Sequence, residues 1–238
     1  MGQYIYGKNA VNNALRNEGR ILQLYLMKGS NDFQKTNVKK TYVDKNELFK
    51  LCKSQNHQGV VALCQEYKTI ELDQMIEKAK ASEYPLIIVL DQLQDPHNLG
   101  AIMRTVDCIG ANGVIYKKHN SVSLNQTVAK VAAGAMDTVD VAEVVNLSAT
   151  LKLLKQAGYW IVGTDVNKAS DYRALDYKMP TVLIIGSEGK GISRLVKEEC
   201  DFLIKLPMVG SISSLNASVA TGIILYEIHN KRYPFNGK

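Results

Sequence analysis

Two rhythms of apolar and polar positions alternate along this chain. Residues 7–17 (GKNAVNNALRN) place Ala10, Val11, Ala14 and Leu15 at helical spacing, and ILQLYLM (21–27) follows as a strand. Asp44 stands where an N-cap belongs, with Glu47 three residues on, and predicts a helix over 45–54. Gly59 then leads into the apolar strand VVALC (60–64). These elements predict a small α/β unit over residues 1–70. Residues 67–84 turn polar with helical periodicity, which places a helix-bearing linker at 71–84.

From Pro85 the apolar runs lengthen. Strands are expected at 86–91 (LIIVLD), 113–116, 159–165, 181–186 and 202–206, and helices at 98–109, 124–136, 147–156 and 215–231. Continuous apolar strands alternating with helices imply a mostly parallel sheet covered on both faces, so the fold class is α/β, with a second unit over 85–238.

Composition adds the location of charge. The formal net charge is +6, and residues 1–70 hold 11 Lys/Arg against 5 Asp/Glu, while the rest of the chain is balanced at 18 of each. A basic module beside a neutral one suits contact with a polyanion as well as it suits a soluble basic face. Cys52, Cys64, Cys108 and Cys200 form no CxxC pair and join no His cluster, so neither a zinc site nor a disulfide framework is expected, and scattered thiols suit the cytoplasm. The N-terminus lacks a secretory signal, and no run reaches membrane-span length. On that ground Asn216-Ala217-Ser218 is read as something other than a glycosylation sequon.

Three segments depart from plain strand-and-helix wording. The first, Asp95-Pro96-His97-Asn98-Leu99-Gly100, follows a strand and opens a helix that carries Arg104. Pro96 fixes the turn and Asn98 is the expected cap. Arg104 sits among Ile102, Met103 and Val106, where an arginine calls for an anion or carboxylate partner. The second, Ile185-Gly186-Ser187-Glu188-Gly189-Lys190-Gly191, ends a strand, at the carboxyl edge where open α/β sheets bind ligands. It matches neither GxxxxGK[ST] nor GxGxxG, which disfavours a nucleotide-dependent oxidoreductase. The third runs from Leu206 through Ser214, Leu215 and Asn216 into a helix rich in small residues; it offers apolar walls and a few polar groups, the usual composition of a small-molecule site.

Together, DPxNxGxxxR, a strand ending in GSEGxG, and PMxGSxxSLNxSVA resemble the three ordered motifs of the SpoU/TrmH family in the SPOUT superfamily, over about residues 85–235. GKNAVNNAL and HQGVVA (57–62) resemble the ribosomal-protein-like α/β RNA-binding domain that precedes the catalytic domain in some members. The subgroup most similar is the 23S ribosomal RNA guanosine 2′-O-methyltransferases. The resemblance implies a parallel-sheet SPOUT domain with a C-terminal trefoil knot, working as a homodimer through its last, small-faced helix. It implies S-adenosylmethionine as cofactor, bound near Thr164, Gly186, Leu206 and Leu215. It further implies a catalytic set of Asn98, Arg104, Glu188, Ser214 and Asn216, and RNA as partner. No metal is required, because the methyl donor is already activated, and no membrane is involved.

Within that set, Arg104 grips a phosphate and the developing alkoxide more readily than it serves as a base, because a free guanidinium stays protonated below pH ~12. Glu188 is the other base candidate, or a partner for the arginine. Lys8, Arg16, Arg20, Lys39 and Lys40 are candidates to hold RNA phosphates. Transfer RNA, a resistance-type ribosomal site, or a non-catalytic RNA-binding role in ribosome assembly are the alternatives.

Overall fold

Two sheets, each covered by helices on both faces, organise the chain. The computed structural model describes residues 3–16, 19–65, 67, 69–119, 121–165, 169–211 and 214–234. The expected helix end at Asn17 and residues 212 and 213 of the third motif lie outside them.

The smaller sheet contains β1 (Gln3–Tyr6), β2 (Ile21–Met27), β3 (Lys40–Val43) and β4 (Val60–Cys64), in the order β1-β4-β2-β3. β4 runs antiparallel to both β1 and β2, while β3 is parallel to β2. Helix α1 (Lys8–Leu15) packs Val11 and Ala14 on one face, against Leu24, Leu26 and Ala62. Helix α2 (Lys45–Cys52) packs Leu48 and Cys52 on the other, against Val43 and Val61. The expected cap is present: the Asp44 carboxylate accepts from the Glu47 amide at 2.8 Å. The helix α3 (Leu72–Ala79), in the segment read as a linker, buries Met75 fully among Ile87, Val89 and Ile115 of the larger core. It is therefore built into the second unit and is not a free tether.

The larger sheet is parallel throughout. Its strands are β5 (Leu86–Leu90), β6 (Gly113–Lys117), β7 (Val141–Val144), β8 (Trp160–Thr164), β9 (Ser170–Asp171), β10 (Thr181–Ile185) and β11 (Phe202–Lys205). The order is β7-β6-β5-β10-β8-β11-β9. β5 and β10 lie side by side at the centre, and every residue of both is buried, which is why they read as unbroken apolar runs. Helices α4 (Pro96–Ile109), α5 (Gln126–Ala132) and α8 (Ala217–Arg232) cover one face; α3, α6 (Leu147–Gln156) and α7 (Arg194–Lys197) cover the other. Chain order reverses across the β5–β10 pair, and such a switch point opens a crevice at the carboxyl ends of the strands.

Two expected elements differ. Helix α5 stops at Ala132; Ala133 and Gly134 turn left-handed (φ 53° and 105°), and a 3-10 turn over Ala135–Asp137 follows. The smaller unit docks at that break. Asn13 Nδ2 donates to the Ala133 carbonyl at 3.2 Å, and Arg20 Nε meets the Asp137 carboxylate at 3.0 Å. Arg20, one of five candidates to hold RNA phosphates, is thus buried: its guanidinium lies 3.7 Å from the Tyr67 ring centre and braces one unit against the other. The second difference is at α4, where the cap is Asp95, whose carboxylate accepts from the His97 amide at 2.9 Å, with Pro96 in the first turn. Asn98 lies one turn further in, which leaves its amide free for other work.

Candidate active site

The site begins with the way β10 ends. Beyond Ile185 the chain turns at once, and Ser187 and Gly191 exchange two backbone hydrogen bonds (3.1 and 2.9 Å). A Cβ on Gly186 would stand 2.1 Å from the carbonyl carbon of Gly191, so only glycine permits this fold-back. Asp91, at the end of β5 and 2% exposed, clamps the turn from beneath by accepting from the Ser193 amide at 2.6 Å. Its sequence signal was available, a lone carboxylate closing a wholly apolar strand, but it was not singled out.

The fold-back places Glu188 against two helix starts. Glu188 Oε1 accepts from Asn98 Nδ2 (2.9 Å), Asn216 Nδ2 (2.8 Å) and the Ala217 amide (3.2 Å). Asn216 Nδ2 also donates to Asn98 Oδ1 at 2.9 Å. Meanwhile Asn216 Oδ1 caps α8 by accepting from the Ser218 and Val219 amides. Each of the three motifs thus supplies one member of a closed polar triangle. The Glu188 carboxylate sits at the N-terminus of α8, where exposed amides and the helix dipole favour negative charge.

Beside this triangle, across the carboxyl ends of β8, β10 and β11, lies a cleft of about 830 Å³. Ile185, Leu206, Leu215 and Ile224 supply apolar wall, and Thr164 and Ser214 supply polar groups. All four residues expected to bind the cofactor (Thr164, Gly186, Leu206, Leu215) line it, and so do Glu188 and Ser214. Asn98 and Asn216 join through Glu188. Ser187 also lines the cleft, and its buried hydroxyl has no hydrogen-bond partner among the described residues.

Arg104 is not brought to this site. It is exposed on α4, lines no part of the cleft, and has neither hydrogen bond nor ion pair among the described residues. Six residues along a helix turn a side chain roughly 120° away from Asn98. Glu188 is accordingly no partner for it within one chain, contrary to one of the two roles expected of that carboxylate.

Residues 85–226 match the SpoU rRNA Methylase family, and residues 4–70 match the substrate-binding domain of RNA 2′-O ribose methyltransferases. This chain belongs to the SpoU rRNA methylase family. It is an RNA methyltransferase. A protein of Bacillus subtilis (strain 168) named "Putative TrmH family tRNA/rRNA methyltransferase YacO" is 45% identical over 241 residues, 97% of this chain and 96% of that one. A protein named to the same family in Staphylococcus haemolyticus is 42% identical over 239 residues, 96% of each chain. Among solved structures, an AdoMet-bound rRNA methyltransferase from Sinorhizobium meliloti superposes with a TM-score of 0.81 at 26% identity, covering 96% of this chain and 87% of that one. The fold is shared too with the SpoU methyltransferase AviRb of Streptomyces viridochromogenes (TM-score 0.83, 23% identity, 100% and 92% coverage). Within this SpoU family member, the matched span contains the whole Asn98–Glu188–Asn216 triangle and the cleft beside it. Among the described residues, no helix is long and apolar enough to cross a membrane, and no group of His, Cys, Asp or Glu could hold a metal ion.

Proposed function

We propose that this enzyme methylates the ribose 2′-hydroxyl of a guanosine in 23S ribosomal RNA, in the cytoplasm, as a homodimer. The observation that carries the reading is the polar triangle of Asn98, Glu188 and Asn216 set against an apolar-walled cleft. The methyl donor is S-adenosylmethionine. The cleft fits it: apolar walls suit an adenosyl group, and the unpaired Ser187 hydroxyl offers a hydrogen bond that no described protein group takes. When bound, the donor presents a methyl already activated on a positively charged sulfur.

The chain's own residues then orient and stabilise. Thr164, Gly186, Leu206 and Leu215 hold the cofactor. Asn98 and Asn216 fix the Glu188 carboxylate, and with it the 187–191 turn, so that Glu188 and Ser214 face the incoming ribose. Holding hydroxyl and methyl in line supplies much of the rate through orientation. Arg104 remains to be placed. Val219, Ile223 and Tyr226 form an exposed apolar stripe on α8, beside α4. A second copy docked there brings Arg104 of the partner subunit towards the ribose, where it grips phosphate and stabilises the developing alkoxide.

Residues 1–70 hold the RNA, residues 71–84 join the two units, and residues 85–238 form the catalytic SPOUT unit with its trefoil knot. The test is transfer of labelled methyl from S-adenosylmethionine to total RNA of a strain lacking the protein, with the product mapped by nuclease digestion and mass spectrometry. A 2′-O-methylguanosine in large-subunit RNA is expected. Label in transfer RNA, which the relatives' names also allow, would move the substrate and keep the chemistry.

A further inference from the structure

A second, smaller pocket opens beside the cofactor cleft. It measures about 240 Å³ and lies between the loop joining β5 to α4 and the turn after β10. Ser187, Glu188 and Lys190 line both cavities, so the two are contiguous. Gln92, Gln94 and Asp95 line only the smaller one.

The loop wall is held stiffly. Leu93 is buried, and its carbonyl accepts from the Val122 amide (2.8 Å) and the Ser121 hydroxyl (3.1 Å). Gln92 takes a left-handed backbone (φ 60°) that side chains other than glycine, Asn and Asp rarely adopt. Strain of this kind persists where the surroundings fix it, and it clusters at ligand clamps. Gln92 and Gln94 both line the pocket, and neither carboxamide hydrogen-bonds any described residue.

We infer that this pocket receives the base of the target nucleotide, and that the carboxamides of Gln92 and Gln94 read its hydrogen-bonding edge. The inference rests on the ribose-methyltransferase reading. The reacting oxygen is on C2′ and the base is on the adjacent carbon, so a ribose facing the cofactor cleft carries its base within reach of the neighbouring cavity. On its Watson–Crick edge every nucleobase presents a donor beside an acceptor, a pattern that a carboxamide, with one of each, matches bidentately. Enzymes that do chemistry on a base extrude its nucleotide and read the exposed edge by hydrogen bonds, and the same recognition is open to an enzyme that takes up the ribose. Lys190, exposed at the rim, is placed to meet the adjoining phosphate.

The test uses the full chain carrying Gln92→Gly with Gln94→Ala. Glycine accepts the left-handed backbone and Gln94 is exposed, so the fold is kept. Substrates are the RNA mapped above, with each of the four nucleotides at the target position. The wild-type enzyme is expected to favour one base at least about tenfold in kcat/KM; the variant loses most of that preference and raises KM for RNA about tenfold, while calorimetric affinity for S-adenosylmethionine stays within about twofold. A variant that keeps the wild-type preference and KM, or a wild-type enzyme indifferent to the base, overturns the inference. A wild-type enzyme that methylates no RNA at all defeats the underlying reading, and is told apart by that blank.

Discussion

One oxygen of Glu188 accepts three hydrogen bonds, two of them from asparagine amides that have other work: Asn98 is buried and Asn216 caps α8. Glu188→Ala removes the acceptor and leaves the buried Asn98 amide short of a partner, which costs about 1–3 kcal/mol, towards the lower figure because the carboxylate is exposed to water. The urea midpoint should fall accordingly, and turnover should fall about a hundredfold. Glu188→Gln keeps an acceptor oxygen; if the residue positions the site, turnover stays within about tenfold of wild type. A loss as large as that of alanine would assign the work to the negative charge itself. The thiols make a separate case. Burial pushes Cys64 up to about 11 and Cys200 up to about 12, and only Cys108 is exposed. Iodoacetamide at pH 8 should therefore label Cys108 in the folded protein and spare Cys64 and Cys200, as read by peptide mass mapping. Both folded thiols hold their protons more tightly than unfolded ones do. Their share of stability is intact below about pH 9 and is lost as pH rises through about 11 and 12.

At the level of elements, the close approach at Gly186 carries the sharpest expectation. A methyl there meets backbone, not a flexible side-chain end, so Gly186→Ala must displace the 187–191 turn. Affinity for S-adenosylmethionine should fall at least tenfold by calorimetry, about 1.4 kcal/mol or more, and an unchanged affinity would mean that the turn does not shape the cleft. Gly100→Ala differs in kind: its methyl meets Val131 Cβ at 2.7 Å, overpacks α4 against α5, and should cost stability of about 1–3 kcal/mol with little effect on the cofactor. Such approaches are invisible in sequence, which shows a glycine but not the atom opposite. Sequence carried the bounded apolar runs well: β2, β4 and α6 fall on their expected bounds, because α6 holds a helical period and the two strands are apolar runs flanked by glycine or polar positions. The short strands β1, β3 and β7 were missed, since four residues fix no period. The α4 cap was misplaced from Asp95 to Asn98 because Asp, Pro and Asn all signal a helix start. The three motifs named the residues that meet at Glu188, but their hydrogen bonds span 28, 90 and 118 positions and depend on topology. Nothing local told buried Arg20 from the basic residues around it.

Across the whole molecule, the excess charge of residues 1–70 and the isolation of Arg104 make different demands. Arg16 and Lys39 are exposed, and reversing both to Glu should weaken RNA binding, flatten its dependence on salt by about two phosphate contacts, and leave cofactor affinity alone. An unchanged salt slope would clear these two side chains of phosphate contact. Arg104 poses the assembly question. In one chain it faces solvent, away from the cleft, yet its apolar flanks Ile102 and Met103 are fully buried, so the helix displays it in a fixed direction. If the dimer forms across α8, each site combines Asn98 and Glu188 of one protomer with Arg104 of the other. Arg104→Ala should then lower turnover by about a hundredfold or more while the dimer stays folded and binds cofactor normally. Asn98→Ala should be similarly poor. A co-expressed heterodimer of the two variants contains one site with both defects and one with neither. Purified by two different tags, it should recover about half of wild-type turnover, far above either parent. Without recovery in a verified heterodimer, Arg104 would have to act on its own chain's site or not at all, and its solvent-facing position would then need a role in gripping RNA outside the cleft.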